Sequence, residues 1–139
     1  FGEPIATPYP ELNRLSPRAE RMAGALPDEI AALGMVGARA RCLVSLAQAV
    51  AQRKIVLSFA SNVEEQIESL MNLPGIGHWT ANYIAMRALQ WPDAFPTGDL
   101  MLMRAAQSSQ KQLQQRSEAW RPWRAYAAHY LWQSLGAAQ

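Results

Sequence analysis

The chain has 139 residues, half of them hydrophobic, which suits one domain with a buried core and argues against a disordered segment. Its one cysteine, Cys42, excludes an intrachain disulfide framework and any four-cysteine zinc or iron–sulfur site. No apolar run approaches the ~18–20 residues of a membrane span, no charged-then-apolar leader opens the chain, and the net charge is only +2, without the dense basic patch of a strong non-specific DNA binder.

The cations are unevenly placed. No acid occurs between Glu29 and Glu64, a gap that holds Arg39, Arg41, Arg53 and Lys54. A lone thiol and no export signal predict a reducing cytoplasm. The first residue is Phe1 rather than Met, so a longer parent protein is expected.

Residues 1–15 contain Pro4, Pro8 and Pro10 without a steady period and read as an irregular lead-in. A string of short helices follows. Ser16-Pro17 reads as an N-cap with proline at the first helical position. Pro27-Asp28-Glu29 starts a second helix that Gly34 ends. A longer helix is expected from about Gly37 to Gln52, with Ala40, Leu43, Val44, Ala47 and Val50 at helical spacing. The stretch from Ile55 to Ala60 reads as a connector. Asn62 caps the next helix, with Glu65 three residues on as in a capping box. After the turn Leu73-Pro74-Gly75-Ile76-Gly77, a helix runs from about His78 to Gln90 until Trp91-Pro92-Asp93 breaks it. Pro96-Thr97-Gly98-Asp99 opens another, Ser109 caps one that runs to Trp120, and Pro122 starts the last, which ends near Gly136. The expectation is a single all-α domain over 1–139, with two helices joined by a sharp hairpin turn over 63–90.

The glycine–x–glycine turn is the most informative stretch. Glycines allow positive φ and close backbone approach, and a helix start with free N–H groups is an anion site, for which a DNA phosphate is one occupant. A tight interhelical turn that binds nothing would use the same residues. Asp99 by itself reads as an N-cap, and Trp79, Tyr83 and Trp132 as packing aromatics. Trp79 and Tyr83, four apart, share a helix face.

Leu73-Pro74-Gly75-Ile76-Gly77-His78-Trp79-Thr80-Ala81-Asn82-Tyr83 closely resembles the helix–hairpin–helix of base-excision DNA glycosylases. Phe95-Pro96-Thr97-Gly98-Asp99 resembles the Gly/Pro-rich loop that ends in the catalytic aspartate of that superfamily. With the run Trp120-Arg121-Pro122-Trp123-Arg124-Ala125-Tyr126 and His129-Tyr130-Leu131-Trp132, and with Leu33-Gly34-Met35 and Arg39-Ala40 upstream, the chain resembles the C-terminal portion of AlkA-type 3-methyladenine DNA glycosylase II.

The resemblance implies an orthogonal helical bundle, incomplete at its N-terminal side because nothing in Phe1–Ser16 matches the preceding subdomain. It implies Asp99 as the catalytic carboxylate and Trp79, Tyr83 and Trp132 as the substrate pocket. It also implies DNA contacts at Gly75, Ile76, Gly77, His78 and Thr80. A monovalent cation held by the main-chain carbonyls of Met71, Leu73 and Ile76 is a further implication; no cofactor is required and no iron–sulfur cluster is expected. The implied partner is duplex DNA carrying alkylated purines, met by a monomer at the bacterial nucleoid. Some members are fused behind an Ada-type alkyl-transfer regulator. Strand-cutting relatives carry a lysine at the position of Trp79, so the implied reaction is monofunctional base removal.

The remaining residues read more plainly. Trp120, Trp123 and Tyr126 are expected to pack the last helices, Arg121 and Arg124 to lie on a solvated face or near DNA, and Cys42 to be buried. Two readings compete with the glycosylase. One is a helix–hairpin–helix module that binds DNA without chemistry; the other is a helical interaction domain with no nucleic-acid role.

Overall fold

A computed structural model describes residues 1–58 and 62–136. The described residues hold eight α-helices: α1 (Ala19–Ala23), α2 (Pro27–Ala31), α3 (Gly37–Ala51), α4 (Val63–Met71), α5 (His78–Arg87), α6 (Leu100–Ala105), α7 (Gln110–Ser117) and α8 (Arg124–Gly136), with a 3-10 turn over Glu118–Trp120. The all-α expectation holds: the described residues form no strand, and the only β pairing among them is an isolated bridge between Pro4 and Arg14. None of their helices is long and apolar enough to cross a membrane.

The backbone divides into two compact units, 1–56 with 73–75, and 57–72 with 76–139. In the first, α1, α2 and α3 bury Met22, Ala25, Ile30, Ala40, Val44 and Ala47 together. Alanines at the contact face of α3 let neighbouring helices approach closely, because a methyl group adds little to the helix radius. Residues 1–15 are more ordered than their prolines suggest. They fold back on themselves, with the Ile5 N–H donating to the Asn13 carbonyl and the Leu15 N–H to that of Glu3, each at 2.9 Å. Ser16 and Pro17 lie ahead of the helix and do not cap it: α1 begins at Ala19 with Arg18 as its N-cap and no side-chain cap. Gly34, with φ +94°, ends the α2 segment as expected. Cys42 is half-buried rather than enclosed.

In the second unit the core is Ala85, Met86, Leu89, Ala94, Phe95, Leu102, Leu113, Ala125 and Ala128, drawn from α5 to α8 and the loop between α5 and α6. Asn62 accepts the Glu65 N–H at 3.2 Å and caps α4. Ser109 and Gln112 form a capping box on α7. The connector expected over Ile55–Ala60 lies partly outside the described residues; within them, Ile55 is buried and Ser58 exposed. The last helix starts at Arg124, two residues after Pro122, because Trp123 first closes a turn on the Trp120 carbonyl at 2.8 Å. The Arg121–Pro122 peptide bond is cis.

Candidate active site

The second unit gathers Trp79, Tyr83 and Trp132 around one carboxylate, that of Asp99. Asp99 is the N-cap of α6, and its Oδ1 accepts the Leu102 N–H at 2.8 Å. The same Oδ1 accepts the Trp132 indole N–H at 3.2 Å, and Oδ2 accepts the Trp79 indole N–H at 2.6 Å. Trp79 comes from α5 and Trp132 from α8, so two helices reach the loop's last residue from either side. Tyr83 stacks on Trp79 with ring centroids 5.2 Å apart and planes 6° from parallel, and meets Trp132 edge-on at 6.2 Å. The i, i+4 spacing of Trp79 and Tyr83 on α5 produces the stack.

Burial divides the labour within this cluster. Asp99 is 9% exposed, whereas Trp79 and Tyr83 are 41% and 38% exposed. The carboxylate is thus nearly withdrawn from water while π-surface beside it stays open to a ligand. The three donors on Asp99 are all neutral, so they orient the carboxylate without cancelling its charge.

Asp93, six residues earlier, shows the contrasting arrangement. It is buried, and Arg124 grips it in a fork, Nε to Oδ1 at 2.8 Å and Nη2 to Oδ2 at 2.7 Å. Arg121 also pairs with Asp93 and with Glu118. The hydrogen bond from Arg121 holds the Glu118 carboxyl below its usual range, and the reciprocal bond raises the Arg121 guanidinium above its own. Two cations on one carboxylate make a structural clamp, not a charge poised for a substrate. Arg121 is solvent-exposed, as a surface cation should be, although it also pairs with protein carboxylates; Arg124 is mostly withdrawn from solvent, which corrects its reading as a solvated cation. Asp93 lies 28 residues before Arg121 and 31 before Arg124, a separation without a sequence signature.

The loop that carries Asp99 is fixed at several points. The Asp99 N–H closes a turn on the Pro96 carbonyl at 3.1 Å, and Gly98 inside it has φ +88°, a left-handed conformation that favours glycine. Asn82, buried on α5, accepts the Phe95 N–H at 3.3 Å and donates to the His78 carbonyl at 3.0 Å. The Ala125 N–H bonds the Pro92 carbonyl at 2.9 Å. Asn82 went unassigned at the sequence level. The available signal was an amide on the same helical face as the apolar Ala81 and Ala85.

The hairpin residues are placed as follows. Gly75 has φ +90°, and a Cβ there would stand 3.2 Å from both the Cβ and the Sγ of Cys42, so the position takes glycine for two reasons. Ile76 is buried, Gly77 and His78 are exposed, and Thr80 is half-buried. Gly77 is the N-cap of α5 and offers no side-chain cap. The first-turn amides of a helix have no intrahelical acceptor, which leaves those of α5 open to an anion. Met71 is exposed at the end of α4 and Leu73 half-buried in the turn. Among the described residues, no backbone hydrogen bond outside the helices ends on the carbonyls of Met71, Leu73 or Ile76. Trp120 meets Phe95 edge-on at 6.0 Å as a packing residue should. Trp123 and Tyr126 depart from that expectation, being 57% and 64% exposed, because α8 buries the alanines of its opposite face, Ala125 and Ala128.

No protein-family profile matches the chain. It is 37% identical over 121 residues to Escherichia coli DNA-3-methyladenine glycosylase 2, an alignment spanning 86% of this chain and 43% of that protein. It is 36% identical over 140 residues to a probable bifunctional transcriptional activator/DNA repair enzyme AlkA of Mycobacterium tuberculosis, spanning 97% of this chain and 28% of that protein. Among solved structures, the fold matches Schizosaccharomyces pombe 3-methyladenine DNA glycosylase in complex with abasic DNA, with a TM-score of 0.71 at 24% identity over 84% of this chain and 62% of that one. It also matches the Clostridium acetobutylicum 8-oxoguanine glycosylase/lyase bound to duplex DNA, with a TM-score of 0.77 at 19% identity over 94% and 48%. The chain spans less than half the length of the curated relatives just named. Over the aligned residues the chain is similar to a segment of AlkA-type DNA-3-methyladenine glycosylases.

Proposed function

We propose that this chain is the part of a base-excision DNA glycosylase that holds the reacting carboxylate and the aromatic wall of its nucleotide pocket. The substrate class is alkylated purines in duplex DNA, and the reaction is hydrolysis of the N-glycosidic bond without strand cleavage. The observation that carries this reading is Asp99: a nearly buried carboxylate held only by neutral donors, beside half-open π-faces.

The chemistry follows from charge. Breaking the bond between sugar and base leaves the anomeric carbon as an oxocarbenium-like cation. A carboxylate about 4 Å away stabilises such a charge by about 4 kcal/mol at an effective dielectric of 20, or about a thousandfold in rate. A purine alkylated at N3 or N7 is already cationic, so it takes the bonding electron pair and leaves neutral, with less need for a proton donor. The faces of Trp79, Tyr83 and Trp132 attract the cationic base by about 0.5–2 kcal/mol per contact. Water completes the reaction, with Asp99 orienting it or accepting its proton.

Such chemistry requires the nucleotide to leave the stack, which is cheapest for damaged bases. The amides of Gly77, His78 and Thr80 at the start of α5 are suited to a backbone phosphate. The exposed ring of His78 adds a donor at the same place. Gly75 and Ile76 shape the turn before it. The reading needs no cofactor, and a monovalent cation on the carbonyls of Met71, Leu73 and Ile76 would serve to brace the turn.

The test is base release from methylated duplex DNA by this chain and by any longer protein that contains it. Asp99→Asn should abolish release while the protein still folds, because the amide oxygen can still cap α6, although its NH2 cannot accept the indole N–H on the other side and the melting temperature should fall somewhat. Wild-type release by that variant would refute the assignment. DNA binding without release by any form would favour a binding module.

A further inference from the structure

Asp99 can act only if the loop before it keeps it beneath two indoles at once. Helices α5 and α8 each reach that loop twice. From α8, Trp132 bonds Asp99 while Arg124 clamps Asp93. From α5, Trp79 bonds Asp99 while Asn82 takes the Phe95 N–H. Asn82 lies three residues after Trp79 on the same helix, and Phe95 lies four before Asp99. The Asn82 amide is 5% exposed, and its two ends are used in opposite senses. Its oxygen accepts from the loop, and its nitrogen donates to the His78 carbonyl in the first turn of its own helix. That second bond sets which way the amide faces, so the oxygen is presented to Phe95.

We propose that Asn82 is a positioning residue for base excision: its side-chain amide sets the distance between α5 and the Phe95–Asp99 loop, and so keeps the Asp99 carboxylate on the Trp79 and Trp132 indoles. This rests on the glycosylase reading for its consequence in catalysis, but not for its structural content. Without the bridge the Phe95 N–H loses its acceptor in a buried site, and the loop must shift to find water or another partner. The carboxylate at its end then leaves the 2.6 Å bond to Trp79, and misplacement of a reacting group by about 1 Å can cost about a hundredfold in rate.

The experiment uses the indole N–H resonances of this chain, five in all from its tryptophans, with Trp79→Phe and Trp132→Phe to assign the two that matter. Asn82→Ser, which cannot span to Phe95, should move both resonances towards the positions of indoles without a carboxylate acceptor. It should also lower base release about 10- to 100-fold with DNA affinity held. Asn82→Asp keeps an acceptor for Phe95 but loses the bond to the His78 carbonyl, so it should move both resonances by less than Asn82→Ser does, and Asn82→Ala serves if the serine variant does not fold. Unmoved indoles in a folded Asn82→Ser or Asn82→Ala, or indoles displaced further in Asn82→Asp than in either, overturn the proposal. If Asn82→Ser moves the indoles while wild-type protein releases no base, positioning stands and the glycosylase reading of this chain fails.

Discussion

Two aspartates six positions apart behave differently because of their donors. Asp93 is paired with two arginines, while Asp99 meets only neutral donors, two indoles and a backbone amide. Composition could not separate them; only the loop motif singled out Asp99. At the Trp79 position, an indole cannot form a Schiff base with the sugar of an abasic site. Borohydride treatment of the protein with lesion DNA should therefore trap no covalent adduct, and a trapped band on a denaturing gel would contradict the monofunctional reading. The two half-exposed rings gain a role the spacing did not announce. Trp79 stacks on Tyr83, stays 41% exposed and gives its N–H to the carboxylate, a division that depends on the ring's orientation.

At the level of elements, the hairpin turn and the α8 clamp are the most exacting. Gly75 combines a left-handed backbone with contact at 3.2 Å to Cys42. Gly75→Ala is expected to cost about 1–2 kcal/mol from the backbone alone, read as a lower midpoint in urea. No change in midpoint would mean that the turn is looser than described. The Arg124–Asp93 pair has side chains 11% and 9% exposed. Arg124→Ala leaves the buried Asp93 carboxylate to Arg121 alone and should destabilise by less than the about 3–5 kcal/mol of a fully broken buried pair, but by more than the under about 1 kcal/mol of an exposed arginine pair. Thermal melts of both kinds of variant decide this. The caps at Asn62 and Ser109 were legible because capping is local chemistry. The starts of α1 and α8 were not: α1 begins beyond Ser16 and Pro17, and at α8 the Trp123 turn overrides the proline signal.

For the molecule as a whole, a net charge of +2 and a backbone-amide phosphate site imply few neutralised phosphates. DNA affinity should fall with salt, with a slope of about −0.9 in log K per phosphate contacted, shallow enough to count only a few. A flat titration in salt would favour the interaction-domain reading. The fold itself was legible at this scale: helical periodicity, glycine and proline punctuation and the absence of strand alternation all pointed to an all-α protein.

The sequence alone determined the helices, most of their caps, the need for glycine at the hairpin and the family resemblance, since each depends on residues close together along the chain. Only the tertiary structure decided which aspartate is paired with arginines and which meets neutral donors alone, which arginines are engaged and what Asn82 holds. Those depend on atoms brought together from α5, the loop and α8, across separations that no periodicity records.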